Sequence, residues 1–193
     1  YSITATWLSP TMLLLIKKLD RNACFNDTSL KHLFIGTGPL RKEDALQFHH
    51  AYGIMPRQTY GLSELLYVSL ASANHSDLGS VGWPLPDVKI TSSSNNSLTI
   101  CTPFQFLGYY VNASIQPPNG EFKSSDLGFF DSEGRLVITG RADDIIIRGG
   151  VNINPINLEK ELASFLSGYC FCVIGLTDPI LGQKVVLVTE TVS

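Results

Sequence analysis

A dense group of charged side chains lies between Gly120 and Gly150, in a chain of which only 16% of the residues are charged. Its members are Asp126, Arg141, Asp143, Asp144 and Arg148. Carboxylate oxygens accept hydrogen bonds from a diol, and guanidinium groups donate to anionic oxygen. Neighbouring glycines let a ligand approach the backbone. These residue types indicate a polar ligand with hydroxyl and phosphate groups, and a nucleotide fits that description.

Two of these charges flank a predicted β-hairpin. Phe129-Phe130 and Leu136 to Ile138 are predicted strands, and the turn Asp131–Gly134 between them has its glycine where a positive φ is needed. Asp126 lies just before the hairpin and Arg141 just after it, so strand pairing brings their side chains together. On spacing alone, an exposed hairpin with a surface ion pair is an equally good interpretation.

Two further motifs carry candidate ligand-binding residues. Gly36, Thr37 and Gly38 form a turn after a short apolar run, and Tyr60-Gly61-Leu62-Ser63-Glu64 follows a second run. The ring of Tyr60 offers a face for stacking a base, Ser63 can donate to phosphate oxygen, and Glu64 can hold Mg²⁺. The glycines keep side chains out of a ligand's way. Each motif also has a simpler interpretation, namely an ordinary turn and a strand end followed by a capped helix.

The elements that position these residues alternate in type. Strands are predicted at Ile3 to Leu8, Leu33 to Ile35 and Met55 to Thr59, and helices at Pro10 to Leu19 and Arg41 to Tyr52, the latter closed by Gly53. Strand, glycine turn and helix in repetition predict a mostly parallel α/β sheet with a ligand site at its strand ends.

The sequence pattern changes after residue 66. Short β-branched strands such as Val88 to Ile90 and Leu98 to Cys101 predict a small antiparallel β-barrel subdomain, with the aromatic residues of 79–84 and 106–110 in its core. From residue 142 an amphipathic helix, Pro155 to Ser167, and two strands predict the start of a small α+β carboxy-terminal domain. The expected division is therefore 1–66, 67–141 and 142–193.

Composition excludes some partners. The net charge of −3, with scattered Lys and Arg, argues against a nucleic-acid surface, and the apolar run near the start, Met12 to Ile16, is too short for a membrane span. The four cysteines form no C-x-x-C pair, which favours buried thiols in a reducing, cytoplasmic setting over disulfides or a metal site.

Four motifs in this order resemble those of the adenylate-forming superfamily of acyl- and aryl-CoA ligases, firefly luciferase and peptide-synthetase adenylation domains. Residues 36–40 (GTGPL) are similar to its G-G-A-P-L turn, and residues 60–64 (YGLSE) to its Y-G-x-(T/S)-E motif. Ser124-Ser125-Asp126 resembles (S/T)-G-D, and residues 140–159 resemble G-R-x-D … G-G … P-x-E-(I/L)-E. The start of the chain is most like the acyl- and aryl-CoA ligase branch.

The resemblance implies an enzyme that uses ATP and Mg²⁺ to convert a small carboxylic acid into an acyl-adenylate and then transfers the acyl group to coenzyme A. A carboxylate is a poor electrophile until one of its oxygens becomes part of a good leaving group, and the enzyme supplies positioning and charge stabilisation.

The resemblance also implies roles for individual residues. Tyr60 would stack adenine, Asp126 would bind the ribose hydroxyls, and Arg141 would contact ribose or phosphate. Ser63 and Glu64 would act with Arg141 in catalysis, on the phosphate and the metal ion respectively. The residues that would border the adenine and acyl pockets are Gly36, Thr37, Gly38 and Gly61. Asp143 would be a hinge and Gly149 and Gly150 would face the CoA channel, although from sequence alone Asp143 is better explained as a cap or a solvated linker residue.

The chain departs from the family pattern in several places. Ser125 stands where glycine is usual, which is tolerable if φ there is negative, Asn157 where an acidic residue is common, and Gln183 where Glu is common. The family's phosphate loop and late catalytic lysine are not among these residues. We therefore expect these residues to form the later half of the large domain and the start of the small one, and to be unable to complete adenylation alone. The alternative is a non-catalytic adenine-nucleotide-binding or scaffold module.

Overall fold

The first sheet of the computed structural model, which describes residues 2–19, 29–118 and 120–190, is mixed. Its parallel strands are β1 (Ala5–Leu8), β2 (His32–Ile35) and β3 (Pro56–Leu62), joined in sequence with helices α1 (Pro10–Leu19) and α2 (Lys42–Tyr52). Strand β4 (Leu66–Leu70) extends it antiparallel to β3, and β5 (Trp83–Pro84) pairs antiparallel with β4. The α/β prediction is confirmed, and the sheet runs past residue 66, where a subdomain boundary was expected.

The helices cover one face of this sheet. Leu13, Leu33, Ile35 and Phe48 are fully buried and form a single cluster between them. Helix α2 ends as predicted at Gly53, whose left-handed φ of 70° lets its N–H bond the carbonyl of His49. Within the described ranges, no helix is long and apolar enough to cross a membrane.

The second sheet is antiparallel and curled. It contains β6 (Lys89–Ser92), β7 (Ser97–Cys101), β10 (Phe122–Phe130) and β11 (Leu136–Arg141) in the order β11-β10-β7-β6, and a separate hairpin pairs β8 (Tyr109–Val111) with β9 (Ser114–Gln116). Leu65 and Val68 from the first sheet pack with Ile90, Ile100 and Leu136 of the second. This shared core fixes β3 and β4 against β10 and β11.

Two expectations about burial are wrong. Trp83, Tyr109 and Tyr110 were expected in the core, but they are 40%, 52% and 76% exposed. The β8–β9 hairpin that carries the two tyrosines has no further strand or sheet against it among the described residues. The cysteines Cys101, Cys170 and Cys172 are free and exposed, not buried. Cys172, for example, alternates with buried Val173 and so points away from the core. Cys24 lies outside the described residues.

The last unit has its own antiparallel sheet. Strands β12 (Ile146–Arg148), β13 (Val151–Ile153), β14 (Phe171–Asp178) and β15 (Gly182–Thr189) are ordered β13-β12-β15-β14, with α3 (Pro155–Leu162) against β14. Helix α3 ends five residues before its predicted end at Ser167. Ser164, Ser167 and Gly168 are poor helix formers, and Phe165, expected on the apolar face, is 83% exposed.

Candidate functional site

Strand β3 carries three consecutive side chains that fasten the candidate site. The first, Gln58, donates from Nε2 to the carbonyl of Gly38 (2.9 Å) and accepts at Oε1 from the N–H of Leu40 (2.8 Å). It therefore holds both sides of the loop from Gly36 to Leu40. Sequence reasoning missed Gln58, and the available signal was its position two residues before Tyr60, on the same side of a strand.

The second residue, Thr59, explains the glycine at position 36. Thr59 is buried and donates to the carbonyl of Ile35 at 3.0 Å. A Cβ on Gly36 would lie 3.0 Å from Thr59 Oγ1, so a side chain there would press on this bond. The next residue, Thr37, has a φ of 66°, which confirms a tight turn at the end of β2.

Gly61 is required by the fold itself. The strand register shifts between Tyr60 and Gly61, and a Cβ at Gly61 would lie 2.3 Å from the carbonyl oxygen of Leu66. Strand β3 turns directly into β4, so the capped helix considered after Tyr60 is wrong. A border of the adenine or acyl pocket at Gly36, Thr37, Gly38 and Gly61 stays a prediction.

The third residue, Tyr60, connects the two sheets. Its hydroxyl donates to Asp126 Oδ2 at 2.7 Å, and its ring packs against the shared core. Burial is the main cause that raises the pKa of Tyr60 far above its ordinary value, and the Asp126 carboxylate adds to this effect. The phenol therefore remains a hydrogen-bond donor across the physiological pH range.

Asp126 and Arg141 face each other across β10 and β11, as the predicted hairpin requires. Arg141 Nη1 lies 3.5 Å from Asp126 Oδ1, and Nη2 lies 3.2 Å from Asp143 Oδ2. The Asp126 side chain is 12% exposed and that of Arg141 is 51% exposed. The hydrogen bond to Asp143, followed by the charge of Asp126, raises the pKa of Arg141. The result is a buried carboxylate beside a guanidinium that reaches solvent.

The two serines before Asp126 support this arrangement. Ser124 Oγ accepts from the N–H of Asp126 at 2.9 Å and lies 3.4 Å from the Tyr60 hydroxyl oxygen. Ser125 does not have a positive φ, so its replacement of the family's usual glycine is compatible with the backbone. A hydrogen bond from Ser125, and then one from Arg141, lowers the pKa of Asp143.

Glu64 and Ser63 lie in the β3–β4 turn and are held separately. Glu64 Oε1 accepts from the Tyr109 hydroxyl at 3.0 Å, and the Glu64 carbonyl accepts from the N–H of Phe106 at 2.7 Å. Ser63 is exposed. In the part of the chain that the structure describes, no hydrogen bond joins Glu64 to Asp126, and no three His, Cys, Asp or Glu side chains form a metal cluster. A metal role for Glu64 stays a prediction.

The remaining predicted residues lie on the surface. Asp143 is in the short 3-10 helix Ala142–Asp144 that follows β11, where it bonds Arg141. Gly149 and Gly150 form the two-residue turn between β12 and β13, with φ of 57° and 82°. Both are exposed, and the N–H of Gly149 bonds the carbonyl of Leu181. The hinge and the CoA channel stay predictions.

Comparisons with known proteins point to one family. Residues 1–98 match the family model described as AMP-binding enzyme. A long-chain-fatty-acid–CoA ligase of Mycobacterium bovis is 31% identical over 148 residues, which are 74% of this chain and 25% of the relative. A 2-succinylbenzoate–CoA ligase of Bacillus cereus is 31% identical over 173 residues, 81% of this chain and 35% of the relative.

A solved structure agrees over nearly the whole chain. Escherichia coli MenE, solved with a bound phenylether-linked analogue of OSB-AMS, superimposes with a TM-score of 0.80 at 27% identity. The match covers 97% of this chain and 41% of MenE. This chain therefore spans well under half the length of the proteins that it resembles.

Proposed function

From the premise that the chain belongs to the AMP-binding enzyme family of adenylate-forming acyl- and aryl-CoA ligases, we propose that it supplies the nucleotide-facing part of a ligase. The ligase activates a small carboxylic acid with ATP, forming an acyl-adenylate and pyrophosphate. It then transfers the acyl group to coenzyme A. Because the chain spans only 25% and 35% of the two relatives, we propose that these residues do not complete adenylation alone.

The observation that carries the proposal is the group formed by Tyr60, Asp126 and Arg141. A carboxylate that is 12% exposed accepts from a phenol on one oxygen and faces a half-exposed guanidinium on the other. The buried carboxylate of Asp126 can accept hydrogen bonds from sugar hydroxyls, and the exposed guanidinium of Arg141 can contact phosphate oxygen. A nucleoside phosphate carries both groups, so it fits this pair of side chains better than a simple anion does.

The donor set near Glu64 fits a loosely held Mg²⁺. One carboxylate is a suitable ligand when substrate phosphates and water supply the rest of the octahedron. When bound, Mg²⁺ would neutralise phosphate charge. Glu64 would hold the ion at the oxygen that Tyr109 leaves open, and Ser63, exposed in the same turn, would donate to phosphate. Asp143 as hinge and Gly149-Gly150 as the CoA-facing turn belong to the same proposal.

The acid itself differs among the relatives, whose names specify a long-chain fatty acid and 2-succinylbenzoate. Both are CoA ligases by name, which supports CoA as the acyl acceptor here. A cytoplasmic location and the absence of a nucleic-acid partner are also parts of the proposal.

The test is titration of the 193-residue chain with AMP by calorimetry. We expect saturable binding that Asp126→Ala weakens at least about tenfold, because hydrogen bonds to a charged acceptor are lost. Glu121→Ala removes an exposed carboxylate just before β10 and is the matched control, expected to bind as the wild type does.

Two outcomes would change the conclusion. If the wild-type chain binds no adenine nucleotide, or Asp126→Ala binds as well as Glu121→Ala, the nucleotide site is wrong. If AMP binds but the intact protein catalyses no ATP–pyrophosphate exchange with any carboxylic acid, the ligase proposal gives way to the non-catalytic nucleotide-binding module.

A further inference from the structure

Contacts within the protein use only about half of the hydrogen-bond acceptor positions of the Asp126 carboxylate. An ionised carboxylate has about four acceptor positions, two on each oxygen. Tyr60 donates to Oδ2 at 2.7 Å, and Arg141 Nη1 lies 3.5 Å from Oδ1. One acceptor position on each oxygen therefore remains for a ligand, and both lie on the same carboxylate plane.

The two protein contacts are unequal. The Tyr60 bond is short, its ring packs against the shared core, and its backbone pairs with Ser69 in the first sheet. The Arg141 contact is at the limit of hydrogen-bond distance, and its side chain is 51% exposed. Because a short bond to a packed group restrains rotation more than a long bond to a half-exposed one, Tyr60 sets the orientation of the carboxylate.

The backbone at Asp126 is restrained from the same side. Ser124 Oγ accepts from the Asp126 N–H and lies within 3.4 Å of the Tyr60 hydroxyl oxygen. Asp126 is thus held at its backbone N–H by Ser124 and at its carboxylate by Tyr60.

We propose that the Tyr60 hydroxyl is a positioning group for ribose recognition: it turns the Asp126 carboxylate so that each oxygen presents one free acceptor position to a vicinal diol. The inference rests on the proposed nucleotide site and adds to it a role for the hydroxyl that base stacking does not need. Stacking uses the ring alone, so the two roles predict different behaviour when only the hydroxyl is removed.

The experiment compares AMP with 2′,3′-dideoxy-AMP on the full chain and on Tyr60→Phe, by calorimetry. The discrimination ratio is the affinity for AMP divided by that for the dideoxy compound. We expect a wild-type ratio of at least about ten, since the diol donates to a charged acceptor. Tyr60→Phe should lower this ratio about fivefold and leave the dideoxy-AMP affinity within about twofold.

The control is Tyr110→Phe, which removes the hydroxyl of a tyrosine that is 76% exposed on the β8–β9 hairpin and should leave the ratio unchanged. Thermal unfolding monitored by circular dichroism shows that each variant is folded. If Tyr60→Phe fails to fold, Ser124→Ala is the second variant, since it removes the other restraint, and it should lower the ratio about twofold to threefold.

The outcomes separate this inference from the function on which it rests. Equal loss of affinity for both nucleotides in Tyr60→Phe would mean that the hydroxyl supports the folded site as a whole and not the contact with the diol, and the positioning role would be wrong. An unchanged or higher ratio would also overturn it, since the hydroxyl would then be idle or in competition with the diol. Absence of AMP binding by the wild type would overturn the proposed nucleotide site as well.

Discussion

Two hairpins of the same charged stretch are built in contrasting ways. The β10–β11 hairpin is fastened at its turn: Arg135 bonds Asp131 in the turn, and also reaches Asp77 and the carbonyl of Ser76. The β12–β13 hairpin has the exposed turn Gly149-Gly150, and its contacts are made to β15 and the Leu181 turn of its own unit.

The difference shows which charges have fixed positions. Asp126 and Arg141 lie in register on a hairpin that is tied to the first sheet at Tyr60 and to the 72–80 segment at Arg135. Asp143 is 64% exposed in its side chain and bonds only Arg141 and Ser125 among the described contacts. Similar residue types therefore form an organised group within the first hairpin and an exposed contact in the 3-10 helix that follows it.

Removing Asp77, the buried anchor of the β10–β11 hairpin, should cause the largest loss of stability. Asp77 is 3% exposed and accepts from the N–H and hydroxyl of Ser72, from Ser76 and from Arg135. Asp77→Ala removes a buried acceptor from the Ser72 donors and one of the contacts that hold Arg135, and should lower the free energy of unfolding by about 2 to 4 kcal/mol. Urea unfolding monitored by circular dichroism measures this loss.

A matched variant isolates the anchor. Glu133→Ala removes an exposed carboxylate from the turn of the same hairpin and should change stability by less than about 0.5 kcal/mol. Similar losses in both variants would mean that overall charge, and not the buried contact, accounts for the effect.

The stability that Asp77 contributes should also depend on pH. Burial alone would raise the pKa of Asp77, but hydrogen bonds from Ser72, Arg135 and Ser76 outweigh it and hold the pKa below its usual range. A carboxyl with a lowered folded-state pKa contributes its full stability above its unfolded pKa of about 3.9, and the contribution is lost as pH falls through the folded value. The difference in stability between wild type and Asp77→Ala should therefore shrink in acid.

Local features of the fold were predictable from the sequence. Strand alternation and turn glycines located the β10–β11 hairpin, and the pairing of Asp126 with Arg141 follows from that hairpin because register and turn are set by nearby residues. The positive φ of Gly134 and the end of α2 at Gly53 are local in the same sense.

The remaining features depend on partners distant in sequence. Gln58 holds a loop about twenty residues away, and Tyr60 meets Asp126 across 66 positions, so neither bond follows from spacing. The exposure of Tyr109 depends on the lack of a further strand or sheet against the β8–β9 hairpin in the described ranges, which its aromatic character did not reveal. Tertiary packing decides such cases, and the sequence pattern is compatible with either result.

The junction between the hairpins should show an intermediate effect. Asn154 caps α3 by accepting from the N–H groups of Ile156 and Asn157, and its Nδ2 donates to the carbonyl of Thr139 on β11 at 3.2 Å. Asn154→Ala removes both functions and should cost about 1 to 2 kcal/mol of unfolding free energy. Asn154→Ser keeps a capping oxygen but not the reach to Thr139, and should cost roughly half as much. Equal costs would show that the link to β11 carries the whole effect.

The smallest loss of stability should come from replacing the turn glycines, and it should be equal in the two hairpins. Gly134 and Gly150 have φ of 74° and 82°, and a Cβ on either would meet no atom within 4 Å. Replacement by alanine should therefore cost only the left-handed backbone strain, about 1 kcal/mol at each site by chemical unfolding, and replacement by asparagine should cost less. A Gly134→Ala cost well above that of Gly150→Ala would mean that the anchored turn cannot relax, so that the contrast between the hairpins reaches the backbone itself. Equal costs would place the contrast entirely in the side chains of Arg135, Asp77 and Tyr60, which is where the contacts of the two hairpins differ.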